Sequence, residues 1–264
     1  MLSTRFVTGS VNWVDLGTPD MEAAKGFYGG VFGWTFQSAG PEAAGYGMFQ
    51  LDGRTVAGGM AAPPEQGGPG WTVYFQSPDA EATAKTVERA GGTVAFQPMD
   101  VFDLGRMAVF NDPTGVGFAI WQPGRNKGLD AVNDPGTLCW AELYTPDAPT
   151  VIGFYQDVFG WETATMPLPD GSADYTMVNP GGAGLDAMFG GIVPLATDPL
   201  EEADGPYWLP YFAVSDCDAT VARAVELGGR VRTPPTDMEG VGRSAKLSDP
   251  AGARFAVLQG ERAE

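Results

Sequence analysis

The chain has 264 residues, room for two ordinary domains, and its 44% hydrophobic and 18% charged content is that of a globular rather than a disordered protein. Fifteen Lys and Arg against 33 Asp and Glu leave a formal net charge of −18 with no basic stripe, which excludes nucleic acid and anionic membrane surfaces as natural partners. There is no histidine, so Ser-His-Asp and Cys-His catalysis, imidazole-built zinc sites and iron sites needing two histidines are excluded as well.

In chain order, Val11 to Leu16 reads as a strand, and Asp20 as the N-cap of a helix whose apolar face carries Met21, Ala24, Phe27 or Tyr28, and Val31. Trp34 to Phe36, Tyr46 to Leu51 and Thr55 to Met60 follow as strands between Gly, Pro and Asp turn signals. The pattern then restarts. Trp71 to Gln76 is a strand, Asp79 caps a helix with Ala80, Ala84, Val87 and Ala90 on one face, and Gly91-Gly92 stops it. Thr93 to Phe96, Arg106 to Phe110 and Gly117 to Trp121 close the second βαβββ unit. No apolar run reaches membrane-spanning length, and Met1 to Phe6 lack the basic and apolar segments of a signal peptide. With only Cys139 and Cys217, in no CxxC pair, a soluble cytoplasmic location is expected.

All of this recurs. Trp13, Pro19-Asp20, Phe27-Tyr28 and Phe32-Gly33-Trp34 match Trp140, Pro146-Asp147, Phe154-Tyr155 and Phe159-Gly160-Trp161 at one offset (140 − 13 = 127). Trp71, Gly91-Gly92, Arg106, Asp112-Pro113 and Gly115 match Trp208, Gly228-Gly229, Arg243, Asp249-Pro250 and Gly252 at another (208 − 71 = 137). A single ten-residue expansion between Trp161 and Trp208, placed around Pro194 to Pro206, reconciles the two. The expected organisation is therefore a first domain over 1–125, a linker over 126–134 and a second domain over 135–264, each built of two βαβββ units.

Tandem βαβββ units carrying Pro-Asp, Phe-Tyr, Phe-Gly-Trp and Asp-Pro-x-Gly resemble the vicinal oxygen chelate superfamily of glyoxalase I, extradiol dioxygenases and bleomycin-binding proteins. The resemblance implies an α+β fold of two tandem glyoxalase-like domains, each a curved sheet around a cleft. It also implies metal ligands at set strand positions. Those positions hold Trp13 and Trp140, Thr72 and Leu209, and Ala119 and Ala256, with glycine near Gly58-Gly59 and Gly190-Gly191. None is a ligand, so the expectation is no metal and no cofactor.

Strand alternation puts Trp13, Asp15, Thr72, Tyr74, Ala119 and Trp121 in the first cleft, and Trp140, Glu142, Leu209, Tyr211, Ala256 and Leu258 in the second. Flat aromatics beside small residues and one acid suit a planar apolar ligand, although the indoles could equally plug the cleft as core. An inward acid needs a partner, and the matched Arg106 and Arg243 are the expected ones, as structural or functional salt bridges. Tyr46 and Tyr175 are candidate hydrogen-bond donors at the rim. The reading that follows is metal-independent binding of a small aromatic or apolar molecule, with cationic ligands favoured by the acidic surface. Two alternatives stay open. One is a cofactor-free lyase, isomerase or cyclase using Asp15 or Glu142 as proton shuttle, and the other is a plugged scaffold kept for protein interaction. If one cleft works alone, the expansion favours the second. Fusion should let the two domains pair within one chain.

Overall fold

The computed structural model describes residues 1–62, 68–168, 171 and 173–261. Among them the βαβββ unit occurs four times. The first is β1 (Val11–Thr18), α1 (Met21–Phe32), β2 (Thr35–Ser38), β3 (Gly47–Leu51) and β4 (Arg54–Ala61). The second is β5 (Gly70–Gln76), α2 (Ala80–Arg89), β6 (Thr93–Val101), β7 (Gly105–Asn111) and β8 (Gly117–Pro123). The third is β9 (Leu138–Thr145), α3 (Ala148–Phe159), β10 (Glu162–Pro167), β11 (Asp174–Asn179) and β12 (Gly190–Pro194). A short helix, α4 (Pro199–Asp204), leads to the fourth, β13 (Tyr207–Ala213), α5 (Cys217–Glu226), β14 (Arg230–Met238), β15 (Gly242–Ser248) and β16 (Arg254–Gly260).

The strands form two eight-stranded sheets, ordered β2-β3-β4-β1-β5-β8-β7-β6 and β10-β11-β12-β9-β13-β16-β15-β14. The α+β architecture read from the sequence is thus observed. Each long helix opens on an aspartate whose side chain accepts a backbone N–H three residues on: Asp20, Asp79, Asp147 and Asp216. No helix among the described residues is long and apolar enough to cross a membrane.

By Cα proximity the chain divides into two compact units, and neither is a sequence repeat. One comprises Met1–Trp13, Thr72–Gly128 and Trp140–Trp208; the other Val14–Trp71, Leu129–Cys139 and Leu209–Glu264. Within the first, Phe75, Phe118, Tyr155, Phe159, Trp161 and Trp208 form a continuous aromatic core. Within the second, Tyr28, Phe32, Trp34, Trp71, Phe212 and Phe255 do the same.

The repeated phrases have local explanations. Gly33 and Gly160 cap α1 and α3 in the left-handed region, at φ 76° and 69°, where a Cβ is disfavoured. The chain then turns the next tryptophan inward. Trp34 Nε1 donates to the Gly136 carbonyl at 2.8 Å, and Trp161 Nε1 donates to the Gly9 carbonyl at 2.9 Å. Asp112 Oδ1 accepts the Thr114 and Val116 N–H groups, and Asp249 Oδ1 those of Gly252 and Ala253, which folds each Asp-Pro-x-Gly turn. The other carboxylate oxygens accept phenols: Tyr155 to Asp112 at 3.5 Å and Tyr28 to Asp249 at 3.2 Å. Those phenol oxygens in turn accept from Trp208 Nε1 and Trp71 Nε1. Tyr28 and Tyr155 are fully buried, and each is also the centre of a Trp–Tyr–Asp chain.

Three sequence expectations are corrected. The extra residues are not one block. Strand register gives an offset of 127 at β9 against β1, then 129 where Met48 and Met177 pair with Gly58 and Gly191 (177 − 48), 133 at those glycines (191 − 58), and 137 at Tyr74 and Tyr211 (211 − 74). The additions fall in successive turns, where extra residues leave the ladder intact. Second, β6 continues five residues past Phe96, through Pro98 to Val101. It is the last strand of its sheet, where a missing N–H costs no ladder bond, and its register shifts absorb the proline. Third, Phe32 rather than Val31 completes the buried face of α1, because the first-turn phase set by Asp20 brings positions 24, 28 and 32 into line.

Candidate functional site

Each repeat holds an acid under a tyrosine. Asp15 on β1 lies beside Gly58 on the parallel neighbour β4, and Tyr46, one residue ahead of β3, donates its hydroxyl to Asp15 Oδ1 at 2.7 Å. In the second repeat Glu142 on β9 lies beside Gly191 on β12, and Tyr175 on β11 donates to Glu142 Oε1 at 2.8 Å. The glycine is what seats the phenol. A Cβ built on Gly58 would overlap the Asp15 carboxylate and the Tyr46 hydroxyl, and one on Gly191 would overlap the Tyr175 hydroxyl and ring. Gly191→Ala is therefore expected to expel Tyr175 from Glu142 at a cost of about 2–3 kcal/mol. It should lower the midpoint of thermal unfolding and change the emission of Trp140; an unchanged melt and spectrum would contradict the packing.

The second repeat extends this pair in both directions. Trp140 Nε1 donates to Tyr175 Oη at 2.9 Å. On the other side Tyr144, also on β9, donates to Glu142 Oε2 at 3.0 Å, so both oxygens of a buried carboxylate accept phenols. The Tyr144 ring stacks on Tyr207, at 5.4 Å between centroids and 15° between planes. Tyr207 in turn donates to the buried Glu201 of α4 at 2.7 Å. Burial, then the neighbouring Glu142 charge, pushes the Tyr175 phenol well above the ordinary tyrosine range, so it stays a donor at neutral pH.

Of the residues expected to line the clefts, Trp13, Tyr74, Trp121, Leu209 and Tyr211 are buried, and Thr72 and Trp140 half-buried. Trp121 Nε1 donates to the Asn126 carbonyl, a structural use of its polar edge. The expected arginine partners are engaged elsewhere. Arg106 donates to Glu81 at 3.0 Å and lies 2.9 Å from Asp100, while Arg243 grips Asp218 at 2.7 and 3.0 Å and Asp237 at 2.9 Å. The reason is position: both sit on β7 and β15, beside the exposed edge strands and helix starts that carry these acids. Tyrosine takes the role expected of arginine. Tyr144, Tyr207 and Glu201 were not singled out from the sequence. The available signal was parity, since Tyr144 shares a strand face with Glu142, and Tyr207 with Leu209 and Tyr211.

Two tandem copies of one sheet-and-helix domain, each built around a first-strand acid, define a glyoxalase-like class of protein. A family model described as the Glyoxalase/Bleomycin resistance protein/Dioxygenase superfamily matches residues 10–120 and 137–257, and the chain belongs to that superfamily. The anthracycline biosynthesis protein DauV of Streptomyces sp. (strain C5) is 43% identical over 97% of this chain and 95% of its own length. The anthracycline biosynthesis protein DnrV of Streptomyces peucetius is 41% identical over the same shares. Among solved structures, the 2,3-dioxygenase LapB from Pseudomonas sp. KL28 superposes with a TM-score of 0.65 over 97% of this chain and 93% of LapB; at 18% identity this likeness shows the fold.

Many members of this superfamily hold a metal ion, and the residues of this chain offer it little. The mapped ligand positions supply indole, hydroxyl, methyl, isobutyl and glycine, and among the described residues no group of three or more His, Cys, Asp or Glu could hold an ion. Asp15 and Glu142 each stand as one carboxylate with phenol donors around it. This donor set does not fit a metal centre.

Proposed function

We propose that the chain binds a planar, largely aromatic small molecule of the secondary-metabolite kind, in the cytoplasm and without a metal ion. One observation carries the reading: beside ligand positions that hold no coordinating group, each repeat keeps a first-strand acid held by a tyrosine, with an indole donating to that tyrosine in the second repeat. A carboxylate so held accepts from hydroxyl or amine groups at the edge of a flat ring system, and aromatic side chains accept its faces. Two relatives above 40% identity named for anthracycline biosynthesis support this ligand class. The net charge of −18 adds attraction for a ligand bearing an amine.

Seven tryptophans report binding directly. Titration with an anthracycline aglycone should quench their emission saturably, with the same midpoint before and after exhaustive chelation. No saturable change, or binding lost on chelation and restored by a transition metal, would overturn the reading. A second reading, cofactor-free proton transfer at Glu142, is favoured by the chain Trp140–Tyr175–Glu142 alone. Glu142→Gln that abolishes turnover of the bound compound while leaving its affinity intact would select it.

A further inference from the structure

On the strand face of the acid, the two repeats differ most in side-chain bulk at two neighbouring positions. Tyr144 and Tyr207, which stack beside Glu142, correspond to Gly17 (144 − 127) and Gly70 (207 − 137). Where the second repeat stacks two phenol rings, the first carries glycine at both positions. A Cβ built on Gly17 would meet only Ala62 Cβ at 3.4 Å and the Gly70 carbonyl at 3.8 Å, and one on Gly70 would meet nothing within 4 Å among the described residues. Neither glycine has a positive φ, so backbone conformation does not require glycine there.

We infer that the first repeat is the ligand-binding one, that the ligand's phenolic ring enters the notch between Gly17 and Gly70, and that its hydroxyl donates to Asp15. The placement rests on the aromatic-ligand reading above. Its independent support is the second repeat, which displays an occupant of the equivalent space. There a phenol ring lies flat against a second ring with its hydroxyl on the first-strand carboxylate, 3.0 Å from Glu142 Oε2. The second repeat is filled by its own tyrosines and anchored through Tyr207 to Glu201 of α4. This reverses the expectation that the expansion marks the working cleft: the space beside Glu142 is taken by Tyr144 and Tyr207. Tyr46 holds Asp15 from the Gly58 side, which fixes the carboxylate toward an incoming hydroxyl.

The test uses the whole chain, a hydroxyanthraquinone and its methyl ether. The wild type should bind one equivalent of the hydroxyanthraquinone. Gly70→Tyr, which supplies the first repeat with a ring of its own, should weaken binding at least tenfold at unchanged near-UV circular dichroism and melting temperature. The methyl ether, unable to donate, should bind the wild type at least tenfold more weakly, the loss expected for one hydrogen bond to a charged acceptor. A folded Gly70→Tyr variant binding as tightly as wild type would overturn the placement alone. If that variant does not fold, the ether decides on the unmodified protein, and equal affinity of ether and phenol overturns the inference. Absence of any binding to the wild type would instead refute the functional reading of the preceding section.

Discussion

Replacing Asp249 by alanine should destabilise the protein by about 3–5 kcal/mol, and Asp112→Ala should do the same, because each removes the acceptor of several buried donors at once. Asp249 is 1% exposed and receives the Gly252 and Ala253 N–H groups together with the Tyr28 hydroxyl; Asp112 receives the Thr114 and Val116 N–H groups, the Thr114 hydroxyl and that of Tyr155. Alanine leaves these groups facing aromatic rings with no acceptor, each at a cost of about 1–3 kcal/mol less what water entering the new space recovers. Thermal unfolding of either variant should begin about 8–15 °C below the wild type. Tyr28→Phe, which strands only Asp249 Oδ2 and Trp71 Nε1, should fall by about half as much. A melt for Asp249→Ala within about 2 °C of wild type would show that the carboxylate is not the keystone of its turn. The acid side offers a second check. Burial raises both carboxyls above the usual range, against the hydrogen bonds that lower them. Such groups bind protons more readily folded than unfolded, so their contribution grows as pH falls from the folded pKa toward about 4 and is lost in the opposite direction.

That result bears on what a single sequence can reveal. The duplication was legible because Phe-Tyr, Phe-Gly-Trp and Asp-Pro-x-Gly recur at constant offsets, and the structure shows that these phrases are cement. Phe32-Gly33-Trp34 ends a helix and plants an indole on a carbonyl, and Asp249 folds a turn and receives a tyrosine. Residues with many simultaneous partners are hard to vary between two halves, so they announce the fold and are silent on the ligand. The first-strand acids were also legible, since parity puts Asp15 and Glu142 beside the tryptophans of the same strand. Their partners were not. The distance from residue 15 to residue 46 depends on how β3 folds back on β4, and that register is set by a bulge between Phe49 and Gln50. Arginines recurring at matched positions looked like partners by charge alone, yet Arg106 and Arg243 serve exposed acids within reach of their own strands. A glycine in a strand, read alone, does not say what its missing side chain admits. The fold shows Gly58 and Gly191 to be openings through which a phenol reaches a carboxylate.

Alkali should unfold this protein steeply. Tyr28 and Tyr155 have phenols pushed well above the ordinary range, first by burial and then by the charges of Asp249 and Asp112. In the unfolded chain both ionise near about 10, so the folded state holds protons that the unfolded state releases. The stability they represent is complete below that pH and is lost as pH rises above it, at about 1.4 kcal/mol per pH unit for each tyrosine, or about 2.8 for the pair. Tyr175, closed over at its hydroxyl by Gly191, contributes with the same sign. Burial also pushes the Cys139 thiol up to about 12 and that of Cys217 to about 11, so both contribute in the same direction from nearer pH ~9. Against a total of about 5–15 kcal/mol, these slopes bring the unfolding transition into the range above pH ~10. Absorbance at 295 nm, followed with near-UV circular dichroism, separates the outcomes. Part of the tyrosinate signal from the eight tyrosines should be withheld and then appear in one cooperative step, coincident with loss of the aromatic dichroism. Tyr155→Phe should flatten the dependence of stability on pH by about 1.4 kcal/mol per unit, even though its stability at neutral pH is lower. A smooth ionisation of all eight tyrosines centred near 10 in a protein whose dichroism stays native would mean that the Trp–Tyr–Asp chains are open to water, and the cores built around them with it.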